Sequence, residues 1–262
     1  MSNNQILMEI RDLEKSFPVR EGEVKVLKKI NFSINKGEFV IIFGPSGCGK
    51  STLLHCLLGL EDPSSGKVLV EGKDFYEGTE DDRALYRRER VGMIYQQPLW
   101  IHALNVFDNV AFPLYLQDQD KLKIKESITK VLEKVVMQEK TDYMPTELSS
   151  GQQQKISLAR ALALDPLIIV ADEPTGNLDT VSGQELIDLF RQLATDGKTI
   201  IMVTHDLEYL KYGDKLIHMV DGEIVEEKSV NGEKLKIAGK RGLDKGERAN
   251  VRDKEFLAKL TK

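Results

Sequence analysis

The residues whose types and spacing most clearly indicate chemistry form one glycine-rich run: Gly44, Pro45, Ser46, Gly47, Cys48, Gly49, Lys50, Ser51 and Thr52. The run fits the pattern of a phosphate-binding loop. Glycines let the backbone turn so that N–H groups converge on phosphate oxygens, and a helix beginning there adds its positive dipole end. Lys50 can reach the outer phosphates, and the Ser51 hydroxyl can hold Mg²⁺, which prefers oxygen ligands. The run therefore predicts a nucleotide site.

An acidic pair, Asp172 and Glu173, follows the apolar run 167–171. Ligands of open α/β sheets bind at the carboxyl ends of the strands, so we expect this pair beside the phosphate-binding loop. There, Asp172 can hold Mg²⁺ through water, and Glu173 can orient or deprotonate a water that attacks the γ-phosphate. Without the glycine-rich run, a solvated acidic pair at a strand end would be the simpler interpretation.

The elements that must position these residues alternate between strands and helices. Short apolar runs predict buried strands at residues 38–43, 167–171 and 199–204. Helices are predicted in four places: from the phosphate-binding loop to about Leu58, over 120–140, from Gly151 to about Leu164, and after a capping box of Ser182 and Glu185. The pair Asp221-Gly222 predicts a hairpin turn. The alternation indicates a wound α/β sheet, with about 80–160 as an inserted helical lobe.

Composition narrows the class of protein. The chain has 262 residues, 41% hydrophobic and 30% charged, which is typical of a globular protein and excludes disordered and collagen-like classes. Its apolar runs, none longer than five residues, are too short to span a bilayer. The first ten residues lack the pattern of a secretory signal. The two cysteines, Cys48 and Cys56, have no zinc-site spacing, so we expect reduced thiols and a cytoplasmic location.

The formal net charge of −5 is the sum of an acidic body and a basic C-terminal segment. Residues 231–262 carry ten Lys or Arg and five Asp or Glu, a net charge of +5, so residues 1–230 carry −10. Nucleic-acid binding rests on contacts of basic residues with phosphates, and an acidic body offers few of these. We therefore expect no nucleic-acid partner.

A further set of motifs resembles the ABC-type ATPases. Residues 148–155 are similar to the signature sequence of that family. The other motif residues follow the family's order: Gln96, Asp172, Glu173, Asn177, Leu178, Asp179 and His205. The resemblance covers about 8–226 and implies an α/β P-loop NTPase of ABC type, with a wound, mainly parallel core sheet, an N-terminal antiparallel β part and an inserted helical lobe. It implies an ATPase domain over 1–228 and a basic C-terminal tail over 229–262.

The resemblance also implies ATP and Mg²⁺ as cofactors and a head-to-tail pair of two copies around two ATP molecules. Catalysis would fall to three residues: Glu173, His205 and Gln96. Contacts with the metal would come from Ser51, Gln96 and Asp172. Contacts with the ATP of the opposite copy, or across the interface, would come from four residues: Ser149, Gly151, Gln152 and Asp179. A helix beginning near Gly151 would favour an anion at this position.

Several positions allow two interpretations. Phe17 matches the aromatic residue that stacks on adenine, or packs in the core. Ser150 stands where the family usually has Gly, which costs stability only if the position needs a positive φ. We expect Cys48 to be reachable by solvent when no nucleotide is bound, and Cys56 to lie in the core. Trp100 would anchor a partner's helix if exposed, or pack within the lobe.

Three classes of ABC-type ATPase remain: a subunit that docks on an integral membrane permease, a DNA-repair or chromosome ATPase, and a two-cassette ribosome-associated ATPase. Only 99 positions separate Lys50 from Ser149, which leaves no room for the coiled coil of chromosome ATPases. A single phosphate-binding run disfavours a two-cassette protein. The first class is therefore favoured, and a soluble ATPase acting on nucleic acid or the ribosome is the alternative.

Within that class, residues 89–97 and 171–179 resemble the lipoprotein-releasing, macrolide-efflux and cell-division subgroup. The resemblance implies a cytoplasmic subunit held on the inner face of the cell membrane by a permease and used for export, extraction or mechanotransmission. For the basic tail, two interpretations stay open: a solvated extension, or a contact with the permease or with anionic lipid.

Overall fold

A computed structural model describes residues 5–20, 22–117 and 120–230. The strands in these ranges are β1 (Ile6–Val19), β2 (Gly22–Asn35), β3 (Phe39–Phe43), β4 (Ser65–Val70), β5 (Lys73–Asp74), β6 (Val91–Tyr95), β7 (Ile168–Asp172), β8 (Thr199–Thr204), β9 (Lys215–Val220) and β10 (Glu223–Ser229). The helices are α1 (Lys50–Leu57), α2 (Glu80–Arg90), α3 (Val106–Tyr115), α4 (Lys121–Lys134), α5 (Ser150–Leu162) and α6 (Thr180–Thr195). The predicted basic tail lies, from residue 231 onward, outside the described residues.

The central sheet has six strands in the order β10-β9-β3-β8-β7-β6, parallel except for β10. Every residue of β3 and β8 is buried, as in parallel sheets that are covered on both faces. The register pairs Phe43 with Thr204 and Asp172 with Val203, so β3, β7 and β8 end at one edge. The predicted α/β fold with a wound, mainly parallel sheet is confirmed.

A second, antiparallel sheet has the order β2-β1-β4-β5. Val40 and Ile42 of β3 share one apolar core with this sheet and α1. The alternating residues Phe39, Ile41 and Phe43 belong to the other core, which includes α3, α4, α5 and α6. Because successive side chains of a strand point to opposite faces, β3 joins both cores and fixes the phosphate-binding loop between them.

The interval 80–160 contains four helices, but also β6, which pairs with β7 in the central sheet. The continuous helix predicted over 120–140 is shorter, because α4 ends at Lys134 and a separate 3-10 turn covers Gln138–Lys140. Val136 has φ 57, and the N–H groups of Val136 and Met137 donate to the carbonyls of Glu133 and Leu132. This pattern is a Schellman motif, which terminates a helix.

The start of α6 differs from the prediction. Asp179 is the N-cap, and its carboxylate accepts hydrogen bonds from the N–H groups of Val181 and Ser182, each at 3.0 Å. The predicted capping box of Ser182 and Glu185 is therefore wrong. The Ser182 hydroxyl donates to Asp179, and Glu185 pairs with Lys155 at 2.7 Å. An acid three residues earlier caps the helix instead, so α6 begins at Thr180.

The hairpin predicted at Asp221-Gly222 is confirmed by the antiparallel pairing of β9 and β10. The two turn residues have φ 48 and 80, as a type I′ turn requires. Within the described ranges, none of the helices has the length and apolar character needed to cross a membrane.

Candidate nucleotide-binding site

The phosphate-binding loop connects β3 to α1 at the edge where the parallel strands end. Gly44, Gly47 and Gly49 have φ of 154, 80 and 100, conformations that residues with a Cβ rarely adopt. Gly49 is the N-cap of α1 and provides no side-chain hydrogen bond to the first turn. The N–H groups of that turn are therefore available for an anion.

Lys50 lies inside this loop and is only 5% exposed. Its ammonium donates to the carbonyls of Gly44 at 2.9 Å and Pro45 at 3.0 Å, and lies 4.0 Å from the Glu173 carboxylate. The hydroxyl of Ser51, in the first turn of α1, donates to Asp172 Oδ1 at 3.4 Å. The structure therefore brings the glycine-rich run and the acidic pair together.

Asp172 is half-buried at the end of β7. Burial raises the pKa of its carboxyl and Glu173 adds to the rise, whereas the Ser51 hydroxyl acts in the opposite direction. The described residues contain no cluster of three His, Cys, Asp or Glu side chains that could hold a metal alone. Two neighbouring oxygen donors, Ser51 and Asp172, nevertheless fit Mg²⁺, which keeps several waters and binds phosphates with one or two carboxylates.

Glu173 and His205 form a second pair beside the loop. His205, directly after β8, has Nδ1 3.0 Å from a Glu173 carboxylate oxygen. The backbone of Glu173 is left-handed, with φ 45, and its N–H donates to Val203 at 3.0 Å. Such strained conformations of residues other than glycine cluster at functional sites. The β7–β8 pairing holds the Glu173 side chain between Lys50 and His205.

Gln96, directly after β6, is exposed and lies against Gly176, where an added Cβ would be 2.7 Å from Gln96 Nε2. Its carbonyl accepts a hydrogen bond at 3.0 Å from Gln154 of α5, which also donates to the Tyr95 carbonyl at 2.9 Å. Gln154 is 2% exposed. Sequence reasoning missed this residue. The sequence signal that could have identified Gln154 is its position as a polar residue on the apolar face of α5.

Ser149 is the N-cap of α5 and forms a capping box with Gln152. Gly151 is buried against Ser182, whose hydroxyl bonds to Asp179. Ser150 is the first residue of α5 and is not among the described residues with positive φ, so serine fits its backbone. Within the described chain, no hydrogen bond or ion pair joins Ser149, Gln152 or Asp179 to residues 44–52.

Phe17 lies in β1 opposite Val24 of β2 and is half-buried. The Lys15 ammonium lies 4.8 Å from the centre of its ring. Trp100 is half-buried against the core that contains α5. Its indole N–H donates to Gln153 at 3.0 Å, and the Arg160 guanidinium lies 5.0 Å from its ring. Trp100 therefore packs within the lobe, whereas the neighbouring Leu99 is 63% exposed.

The expectation that solvent reaches Cys48 is wrong, because the residue is only 4% exposed. Cys48 belongs to the apolar core that the antiparallel sheet shares with α1, and its carbonyl accepts a hydrogen bond from the Gly222 N–H at 3.1 Å. Burial raises the pKa of the Cys48 thiol. Cys56 lies in the core as predicted, and burial raises its pKa to about 12.

Comparisons with known proteins found similar sequences and similar solved structures. A family model described as ABC transporter matches residues 27–176. An uncharacterised ABC transporter ATP-binding protein of Methanocaldococcus jannaschii is 44% identical over 220 residues, which cover 84% of this chain and 98% of that protein. A macrolide export ATP-binding/permease protein of Shewanella sp. (strain ANA-3) is 40% identical over 221 residues, covering 84% of this chain but 34% of that longer protein.

Two solved structures of the M. jannaschii cassette MJ0796 are also similar. One is described as the dimeric structure of an ABC transporter cassette, with a TM-score of 0.80 and 33% identity over 87% of this chain and all of that one. The other, a dimeric post-hydrolysis state bound to ADP and Pi, has a TM-score of 0.79, 33% identity and the same coverage.

Proposed function

Because this chain belongs to the ABC transporter family and is an ATP hydrolase of that family, we propose that it drives conformational change in a separate membrane permease. One observation carries the ATP-dependent part of the proposal, in which two copies pair around ATP. Lys50, Ser51, Asp172, Glu173 and His205 meet at one sheet edge, whereas the signature residues bond elsewhere. A second copy, placed head to tail, would complete the site.

ATP binds at the phosphate-binding loop in this proposal. The N–H groups of residues 46–52 and the Lys50 ammonium hold the phosphates, and Phe17 stacks on the adenine. Ser51, Asp172 and Gln96 would hold Mg²⁺, which neutralises charge on the phosphates when bound. Lys50 can exchange its present carbonyl partners for phosphate oxygens without leaving the loop, because those partners are in the loop itself.

Hydrolysis is assigned to Glu173, His205 and Gln96. The oxygen of a water bonds to the γ-phosphorus, the bond to the β–γ bridging oxygen breaks, and Glu173 takes the proton of the water. His205, with Nδ1 3.0 Å from a Glu173 carboxylate oxygen, orients Glu173, and His205 and Gln96 contact the γ-phosphate and the attacking water. The pairing of β6, β7 and β8 pre-organises these groups, because Gln96, Glu173 and His205 each follow the end of one of these strands. Side chains positioned in this way accelerate phosphoryl transfer.

The signature residues act on the ATP of the opposite copy. Ser149, Gly151 and Gln152 lie at the N-terminus of α5, where N–H groups and the helix dipole favour the γ-phosphate. Asp179, exposed at the N-terminus of α6, contacts the partner across the interface. A ligand shifts a conformational equilibrium only through differential affinity. ADP lacks the γ-phosphate, so ATP closes the dimer and hydrolysis reopens it.

A surface on the lobe supports a permease partner. Three exposed apolar side chains lie at the C-terminal end of α3: Phe112, Tyr115 and Leu116. A cavity of about 620 Å³ is lined by Leu116, Gln117, Leu164, Arg88 and Glu89. Exposed apolar patches rimmed by charge mark protein interaction sites. We assign this surface to the permease, which would hold the chain at the inner face of the cell membrane for export, extraction or mechanotransmission.

Two matched variants test this assignment. The side chains of Leu116 and Leu122 are similarly exposed, at 69% and 73%, but of the two only Leu116 lines the cavity. We expect Leu116→Glu to release the chain from the membrane fraction of its host while ATPase activity in solution is retained. Leu122→Glu should leave membrane recovery unchanged.

Equal membrane recovery of both variants would contradict the assignment. A rise in the ATPase rate on adding double-stranded DNA would instead favour the alternative, an ATPase that acts on nucleic acid.

A further inference from the structure

The turn between β9 and β10 lies directly against the phosphate-binding loop. The Gly222 N–H donates to the Cys48 carbonyl at 3.1 Å. The Gly222 carbonyl accepts from the Lys28 N–H of β2 at 2.8 Å. One turn residue is therefore bonded to the loop on one side and to the antiparallel sheet on the other.

Strand β2 is held between two glycines at this point. A Cβ on Gly222 would lie 2.2 Å from the Val26 carbonyl oxygen, and a Cβ on Gly49 of the loop would lie 3.1 Å from the same oxygen. There is no room for a side chain at Gly222, because the nearest atoms are backbone atoms of Val26 and Leu27 in β2. The loop, β2 and the turn are thus packed backbone against backbone.

The start of the loop is enclosed in the same way. A Cβ on Gly44 would lie 2.0 Å from the Met219 carbonyl oxygen of β9. The His218 ring stacks on Phe43, the residue before the loop, with centroids 4.6 Å apart and planes at 2°. Both ends of the loop therefore contact β9 or the turn that follows it.

We propose that the Asp221–Gly222 turn is a positioning element of the nucleotide site, which rests on the phosphate-binding role proposed for residues 44–52. A trans peptide is planar, with its C=O and N–H pointing in opposite directions. Because Gly222 bonds the Cys48 carbonyl, the Gly49 N–H of the same peptide points away from the turn. The turn thereby sets the direction of a loop N–H group, and such groups must converge on a phosphate to bind it.

The chain contains a second turn that serves as a control. Glu71 and Gly72, between β4 and β5, have φ 48 and 83, against 48 and 80 for Asp221 and Gly222. A Cβ on Gly72 would meet no atom within 4 Å. An alanine at either glycine therefore carries the same backbone strain, but only the alanine at position 222 collides with β2.

The test compares Gly222→Ala with Gly72→Ala in the full chain, by binding of fluorescent ADP and by steady-state ATPase kinetics. We expect Gly222→Ala to raise the Kd for ADP and the KM for ATP about tenfold, with kcat within about threefold of the parent. Gly72→Ala should change each by less than about twofold. A merely structural effect would lower kcat through loss of folded molecules and would leave KM unchanged.

Hydrogen exchange of the parent chain, with and without ADP, tests the same role if Gly222→Ala does not fold. Binding of ADP should slow hydrogen exchange of the Gly222 and Lys28 amides and leave the Gly72 amide unaffected. Parent-like ADP affinity in Gly222→Ala, or unchanged exchange at Gly222, would overturn the positioning role. Failure of the parent chain to bind ADP, or equal binding by Lys50→Ala, would instead overturn the phosphate-binding role of the loop.

Discussion

Helix α5, which begins at the signature residues, contacts α6, and the distances at this contact allow a quantitative prediction. A Cβ on Gly151 of α5 would lie 2.6 Å from Oγ and 2.7 Å from Cβ of Ser182 in α6. Favourable carbon contacts lie at about 3.5–4.0 Å, so Gly151→Ala creates an overlap of about 1 Å. Overpacking of this kind costs about 1–3 kcal/mol of unfolding free energy.

A double-mutant cycle isolates this overlap. Ser182→Gly removes both obstructing atoms, so Gly151→Ala should be neutral, or stabilising by up to about 1 kcal/mol, in that background. The coupling free energy between the two substitutions should therefore be about 1–3 kcal/mol. Ser150→Ala, at the exposed neighbouring position, should change stability by no more than about 0.5 kcal/mol.

Urea unfolding provides the assay. Trp100, the single tryptophan of the chain, bonds to Gln153 of α5, so its fluorescence reports directly on this helix. The midpoint should shift while the slope with urea stays constant, as expected when only stability changes. Additive effects of Gly151→Ala and Ser182→Gly, within about 0.5 kcal/mol, would show that the two side chains do not collide.

Two further predictions concern residues that border the reacting groups. Gln154→Glu should lower kcat at least about tenfold with little change in KM. A carboxylate at this position would face the carbonyls of Tyr95 and Gln96, to which Gln154 now donates hydrogen bonds. An unchanged kcat would disprove a positioning role for Gln154. Asp172→Asn should raise the melting temperature at pH 7.5 in EDTA and abolish Mg²⁺-dependent turnover. Burial raises the pKa of Asp172, so its carboxyl costs stability as pH rises above its ordinary pKa of 3.8, and the advantage of Asn should vanish towards pH 4. A lower melting temperature of Asp172→Asn at pH 7.5 would contradict this sign.

Local signals in the sequence were sufficient for much of the fold. The residues at 199–204 form a strand with the predicted bounds, and Asp221-Gly222 forms the predicted turn. The phosphate-binding loop lies between a buried strand and a helix as expected. These features depend on side-chain periodicity and on φ preferences of neighbouring residues, which a single sequence contains.

Features that depend on distant backbone could not be predicted in this way. Cys48 packs in the apolar core of the antiparallel sheet and α1, and its carbonyl accepts a hydrogen bond from Gly222, far along the chain. Gln154 bonds two carbonyls that precede it by nearly sixty residues. At α6, Asp179 caps the helix three residues before Ser182, and the local pattern of Ser182 and Glu185 did not show this earlier start.

In the proposed function, ATP joins two copies of this chain through the signature residues of each. Light scattering of Glu173→Gln, which should bind ATP without cleaving it, measures this pairing. We expect ATP to double its molar mass and ADP to leave it monomeric. Adding Ser149→Asp keeps an N-cap for α5 but places a carboxylate opposite the γ-phosphate, so the double variant should stay monomeric with ATP. A monomer of Glu173→Gln with saturating ATP, or an equally stable dimer of the double variant, would contradict the account.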